Sequence, residues 1–136
     1  MIGFGEAIKS FYSQYANFSG RATRAEYWWV ALYLCLLYII PYSFVLGAEM
    51  QGEQPSLFWS AILAIIGLVN IVPSLALVWR RLHDIGKSGA WYFIAFIPLV
   101  GGIILLVFML KDSQPFPNKY GYPVGNYDNF NNPPQY

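Results

Sequence analysis

The chain has 136 residues, of which 57% are hydrophobic, 19% are aromatic and only 11% are charged. Soluble domains carry roughly 25% charged residues, so this composition excludes an ordinary soluble domain and is typical of a membrane protein. The formal net charge is +1. Because nucleic-acid binding needs a basic surface that displaces counterions from phosphates, we expect no nucleic-acid partner.

Residues 1–16 are predicted to form an amphipathic interfacial helix. Phe4, Ile8, Phe11 and Tyr15 recur at helical spacing, and polar side chains fall between them. A membrane protein has no water-soluble core for such a helix to cover. Its apolar face is therefore expected at the lipid interface or against the side of the membrane bundle.

The first membrane span is predicted over residues 27–46. Thr23 and Glu26 have the spacing of a capping box, in which the two side chains satisfy unpaired backbone N–H groups at a helix start. Three aromatic residues at 27–29 then mark the membrane interface. The apolar run that follows has the roughly 20 residues needed to cross a bilayer core.

A second span is predicted over residues 57–79, after a loop that contains glutamates but no Lys or Arg. Aromatic residues lie at both of its ends, as is usual at membrane interfaces. Asn70 and Ser74 are its intramembrane polar residues, and such groups are unfavourable in lipid unless they face protein. We expect this side of the helix to pack against other helices, with a substrate pathway as the alternative.

A third apolar segment covers residues 90–110 and is long enough for another span. Pro98, Gly101 and Gly102 lie near its middle, and such breaks are also compatible with a re-entrant hairpin buried in protein. Residues 112–136 have no apolar periodicity and are predicted to form an irregular, disordered and mobile polar tail.

These segments together predict an all-α integral membrane protein. Its membrane domain covers residues 17–111, and an amphipathic helix precedes it. The domain contains three transmembrane helices, of which the third is either a full span or a re-entrant hairpin.

The placement of basic residues predicts an orientation. Those before the first span are Lys9, Arg21 and Arg24, and those in the loop after the second span are Arg80, Arg81 and Lys87. Since cytoplasmic loops are enriched in Lys and Arg, the N-terminus and this second loop are expected in the cytoplasm. Three full spans would place the tail outside, whereas a re-entrant third segment would keep it inside.

Three sequence motifs carry a resemblance to a known family. In chain order they read F-S-G-R-A-T-R-A-E-Y-W-W, R-R-L-H-D-I-G-K-S-G-A-W-Y and I-P-L-V-G-G-I-I-L-L-V-F, followed by N-K-Y-G. This combination resembles the bacterial inner-membrane family called domain of unknown function 805, over most of residues 18–121. The chain differs at Ala90, where the family usually has Trp, and in a longer tail. The resemblance implies a small multi-span protein of the cytoplasmic membrane and implies no activity.

The polar loop at residues 80–89 allows sharper hypotheses. Gly86, Lys87 and Ser88 match the end of a phosphate-binding P-loop, but Arg81 occupies the position where that motif needs its first glycine. The adjacent His83 and Asp84 could share a proton, yet no nucleophile is indicated and the chain has no second histidine. A turn anchored at the interface by arginines is the expected role, with no metal and no cofactor.

Two hypotheses concern the charged residues of this end. The first is a basic face that contacts anionic lipid headgroups or a membrane-protein partner through Arg21, Arg24, Arg80, Arg81 and Lys87. The second is a polar network that joins Glu26, Arg80, Arg81 and Asp84. We therefore expect a non-enzymatic accessory or scaffold protein of the inner membrane, which could form homo-oligomers. A small oligomeric transporter or channel is the alternative.

Overall fold

A computed structural model describes residues 2–124, and within this range every regular element is helical. The four α-helices are α1 (Phe4–Ser13), α2 (Arg24–Met50), α3 (Leu57–Asp84) and α4 (Val100–Leu110). A 3₁₀ helix, Gly89–Phe96, precedes α4. The all-α architecture predicted from the sequence is thus confirmed for the described part of the chain.

Helices α2 and α3 are long and apolar enough to cross a membrane. They contain 27 and 28 residues, and their most apolar 18-residue windows have mean hydropathies of 2.0 and 2.5. At about 1.5 Å per residue each is roughly 40 Å long, which exceeds the roughly 30 Å of a hydrocarbon core. Only 11% and 22% of their most apolar windows are buried in the protein. Their apolar surfaces therefore face outward, unlike those of a core helix in a soluble protein.

The two long helices pack side by side along the molecule and are joined by a short loop at residues 51–56. The predicted spans at 27–46 and 57–79 lie within them. Both helices extend further than predicted, because their ends carry polar residues that the apolar pattern does not include.

The third apolar segment is not one continuous helix, unlike α2 and α3, and the third span stays a prediction. The chain breaks between the 3₁₀ helix and α4, where Pro98 lacks an N–H donor and Leu99 has a φ of 64°. The 11 residues of α4 extend only about 16 Å, too short to cross a bilayer.

Residues 89–110 instead form a helical hairpin with two closely packed limbs. A Cβ added to Gly101 would lie 1.6 Å from the carbonyl oxygen of Ile94, so only glycine permits this approach of the two backbones. The hairpin also closes on itself, because the rings of Trp91 and Phe108 lie 5.8 Å apart between centroids. Its beginning and its end therefore meet at the same end of the α2–α3 pair.

Helix α1 packs against α2 and α3. Phe11, from the predicted apolar face, and the neighbouring Ala7 are completely buried in a cluster with Ala22, Val30 and Leu77. Of the two placements expected for the apolar face of α1, these residues adopt the one against the bundle.

The segment after α4 is irregular, as predicted, and its described part contacts the end of α3. The backbone N–H of Gln114 donates to the carbonyl of Asp84 at 2.9 Å, and Asn118 and Gly121 form an isolated β-bridge. Polar contacts thus connect this segment to the end of α3, although it lacks apolar ones. The rest of the predicted tail, residues 125–136, lies outside the described residues.

Candidate functional site

A cluster of buried charged residues forms where α2, α3 and the segment after α4 meet. Its members, called the charge cluster below, are Arg21, Glu26, Arg80, Arg81 and Asp84. Each of these residues is at most 5% exposed. Isolated charges at such burial are strongly unfavourable, so each must find partners within the protein.

Asp84 is the centre of the charge cluster and is bound by two arginines. Arg21 donates from Nε to Asp84 Oδ1 at 2.9 Å, and Arg81 donates from Nη1 to Oδ2 at 3.0 Å. The Ser113 hydroxyl also donates to Oδ2. Asp84 ends α3, where the helix dipole disfavours a carboxylate, and the two guanidinium groups offset that effect.

Arg21 holds three chain segments together. Besides its bond to the Asp84 carboxylate, it donates to the backbone carbonyls of Asp84 (3.1 Å), Gln114 (2.6 Å), Phe116 (2.9 Å) and Gly121 (3.3 Å). A guanidinium has five N–H donors, and these contacts use all of them. Arg21 thereby fixes the segment after α4 to the end of α3.

Arg80 and Glu26 connect α3 to α2 and α1. Arg80 Nη2 lies 3.8 Å from Glu26 Oε1, and its Nη1 donates to the carbonyl of Asn17 at 3.0 Å. The Ser10 hydroxyl donates to the same Glu26 oxygen at 2.6 Å. The backbone half of the predicted capping box is present, since Glu26 N donates to Thr23 Oγ1 at 3.2 Å. The Glu26 carboxylate, however, points toward Ser10 and Arg80.

The His83 ring contacts two other parts of the chain. Its Nδ1 lies 2.9 Å from the carbonyl oxygen of Gly20, and its ring stacks on Tyr120 at 3.8 Å. The neighbouring Asp84 carboxylate is engaged by arginines and therefore does not orient the imidazole. Within residues 2–124, no group of three His, Cys, Asp or Glu side chains is placed to hold a metal ion.

The basic residues assigned from the sequence to a lipid-contacting face separate into two groups. Arg21, Arg80 and Arg81 are buried in the charge cluster, where carboxylates pair with their charges and backbone carbonyls accept their hydrogen bonds. Their side chains are therefore not at the surface that the hypothesis required. Arg24 is exposed and Lys87 is half-buried, so both remain accessible from the surface.

Arg24, Lys87 and one further residue, Lys111, form what we call the basic rim. Arg24 donates to the carbonyl of Leu110 at 3.1 Å. The ammonium groups of Lys87 and Lys111 lie 4.9 and 5.5 Å from the centroid of the Phe108 ring. Sequence reasoning missed Lys111 because its position beside Lys87 depends on the return of the hairpin.

The intramembrane Asn70 is 4% exposed, and both its side-chain oxygen and its side-chain nitrogen form a hydrogen bond. It accepts from the Tyr12 hydroxyl at 2.7 Å and donates to the carbonyl of Ile66 at 2.8 Å. The Tyr12 hydroxyl also lies 2.7 Å from that of Tyr33. Burial, together with this second hydroxyl, raises the pKa of Tyr12, so it stays protonated and able to donate. Ser74, the other polar residue of this span, is half-buried.

Comparison with known proteins identifies the family. The model of a family described as protein of unknown function (DUF805) matches residues 15–122. The inner membrane proteins YhaI and YhaH of Escherichia coli strain K12 are 38% and 35% identical to this chain over 109 residues. Those matches cover 79% of this chain and 85% and 86% of the two relatives. No solved structure shows significant similarity. The chain therefore belongs to the DUF805 family.

Proposed function

We propose that this chain is a non-enzymatic accessory or scaffold protein of the bacterial cytoplasmic membrane, with its charged end in the cytoplasm. Two long helices with outward-facing apolar surfaces support the membrane location. The relatives YhaI and YhaH, which are named inner membrane proteins, support the choice of membrane.

The distribution of cationic residues is the observation that carries the proposal. All eight Lys and Arg residues precede α2, begin it, or follow residue 79, and none lies in the loop at 51–56. The hairpin returns to the end of α3, so Lys111 and Lys119 stay on the same side as the charge cluster. The Asn118 side chain donates to the carbonyl of His83 at 3.0 Å, which places Lys119 beside that cluster. Such one-sided charge is typical of a cytoplasmic face.

The hydrogen bonds of Arg21 and Asn70 favour a scaffold over a transporter. Arg21 uses all its donors within the chain, and Asn70 bonds to Tyr12 and Ile66. A transporter or channel, the alternative function, needs polar groups free to contact a permeating solute. We therefore assign the charge cluster a structural role. It holds α1, the two long helices and the hairpin at one end, where the basic rim faces anionic lipid.

Cysteine labelling in intact cells tests the proposed arrangement. Cys35, the one cysteine of the sequence, is first replaced by Ser. Single cysteines then replace Gln54, Ser88 or Pro115, which are all exposed. An impermeant maleimide is expected to label position 54 directly and positions 88 and 115 only after permeabilisation. Labelling of position 115 from outside would mean that the chain crosses the membrane a third time. Labelling of position 88 from outside would mean that the orientation is the reverse of the one proposed. Either result would refute the proposal.

A further inference from the structure

We propose that the basic rim binds the phosphate group of an anionic phospholipid, with the hairpin beside it contacting the acyl chains. This inference rests on the proposed function, because it needs the rim to lie at a membrane surface. It replaces the broad basic face suggested by the sequence with a defined site formed by Arg24, Lys87 and Lys111.

The three cations converge on the last turn of α4. Lys87 and Lys111 lie over the same Phe108 ring, and Lys87 is also 5.1 Å from the centroid of the Trp91 ring. Arg24 contacts the carbonyl of Leu110, directly before Lys111. These residues come from α2, from the loop after α3 and from the end of the hairpin, so tertiary structure alone brings them together.

The charge of the rim is only partly neutralised within the described chain. Asp112 pairs with Arg24 at 3.0 Å, but the Asp112 side chain is 84% exposed and the Arg24 side chain is 51% exposed. Exposed pairs of this kind contribute little and are easily exchanged for another anion. The carboxylates of Asp84 and Glu26 pair with the buried arginines and not with the rim. The three cations of the rim therefore have one carboxylate beside them in the described part of the chain, that of Asp112, and this excess of positive charge favours an anionic ligand.

The surroundings of the rim indicate a lipid. Trp91, which Lys87 covers, is 44% exposed at the start of the hairpin, as is usual for aromatic residues at a membrane interface. A shallow depression of about 230 Å³ lies next to Lys87 and is lined by Ser88, Ala90, Trp91 and Ile94. The hairpin continues from it with exposed apolar side chains, among them Phe93, Phe96, Leu99, Val100 and Ile103. Cations thus adjoin an apolar surface, which matches a phospholipid better than a free phosphate ion.

Titration of the full chain, purified in dodecylmaltoside, with dioctanoyl phosphatidylglycerol tests this site, with the dissociation constant measured by native mass spectrometry. Lys87→Gln and Lys111→Gln are each expected to weaken binding about fivefold, the effect typical of one basic residue near an anionic surface. Lys111→Arg keeps the charge and is expected to keep the affinity. Lys111 is exposed and Lys87 is half-buried, so thermal stability is expected to be unchanged for Lys111→Gln and is measured for both variants.

Lys119→Gln is the matched control. Lys119 is also exposed, and its ammonium lies 5.1 Å from the centroid of the Tyr120 ring, but it is not in the rim. Its replacement is expected to leave the affinity unchanged. Equal weakening by Lys119→Gln, equal binding of dioctanoyl phosphatidylcholine, or full competition by inorganic phosphate would each overturn the proposal. Lipid binding is measured in detergent and does not depend on orientation in a membrane. A failure of the lipid-binding proposal is therefore distinguishable from a failure of the proposed function, which the labelling experiment tests.

Discussion

Arg21 and Asp84 form a fully buried ion pair, with 2.9 Å between Nε and Oδ1 and no exposure of either side chain. The two residues are 63 positions apart in the sequence, and their contact joins the segment before α2 to the end of α3. Asp84 is held by Arg81 as well, so one carboxylate serves two guanidinium groups. This arrangement makes the charged end of the molecule dependent on each of the three partners.

Arg21→Gln is expected to destabilise the protein by about 3 kcal/mol, the lower end of the usual effect of breaking a buried ion pair, because Asp84 keeps Arg81 as a partner. The free energy of unfolding in detergent measures it. Arg24→Gln is the matched control, because Arg24 pairs with Asp112 at the surface and such pairs contribute about 0–1 kcal/mol. Similar effects of the two substitutions would show that the Arg21 pair has no special role.

Glu26 and Arg80 are expected to stabilise the protein cooperatively. Their charged atoms are 3.8 Å apart and nearly inaccessible to water, but the distance is too long for a hydrogen bond. A double-mutant cycle with Glu26→Gln and Arg80→Gln should give a coupling energy of about 1 kcal/mol. Additivity of the two substitutions would mean that Glu26 acts through Ser10 and the helix start instead.

Gly101→Ala is expected to open the hairpin, because the new Cβ would lie 1.6 Å from the backbone carbonyl oxygen of Ile94. Overpacking of this kind costs about 1–3 kcal/mol. The neighbouring Gly102 has nothing within 4 Å of its Cβ position, so Gly102→Ala should stabilise α4 by about 0.5–1 kcal/mol. Chemical denaturation of both variants in detergent gives the comparison. A neutral Gly101→Ala would exclude the close approach of the two limbs.

Tyr12→Phe is expected to lower the free energy of unfolding by about 1–3 kcal/mol, because the buried Asn70 oxygen loses its donor. Tyr42→Phe is the control, since Tyr42 is 55% exposed, and it should change stability by less than about 0.5 kcal/mol. Equal effects of the two substitutions would show that the Tyr12 hydroxyl does not hold α1 against α3.

Local sequence patterns were sufficient to locate α1, α2 and α3. The spacing of apolar residues indicated α1, and two runs of about 20 apolar residues located α2 and α3, because helix formation and membrane length depend on neighbouring residues. Thr23 also marked the start of α2. The same local evidence was ambiguous for residues 90–110, whose composition suits both a span and a hairpin.

Tertiary structure decided the hairpin and the sites. Whether Gly101 permits a close approach depends on where Ile94 lies, and apolar periodicity does not contain that information. The arginines at 21, 80 and 81 look like surface charges in the sequence. They become buried because Asp84, Glu26 and the carbonyls after α4 reach them only in the folded chain. Long-range pairing of this kind is determined by the geometry of the complete fold, so it also decided that the basic rim contains Lys111 and lacks Arg21.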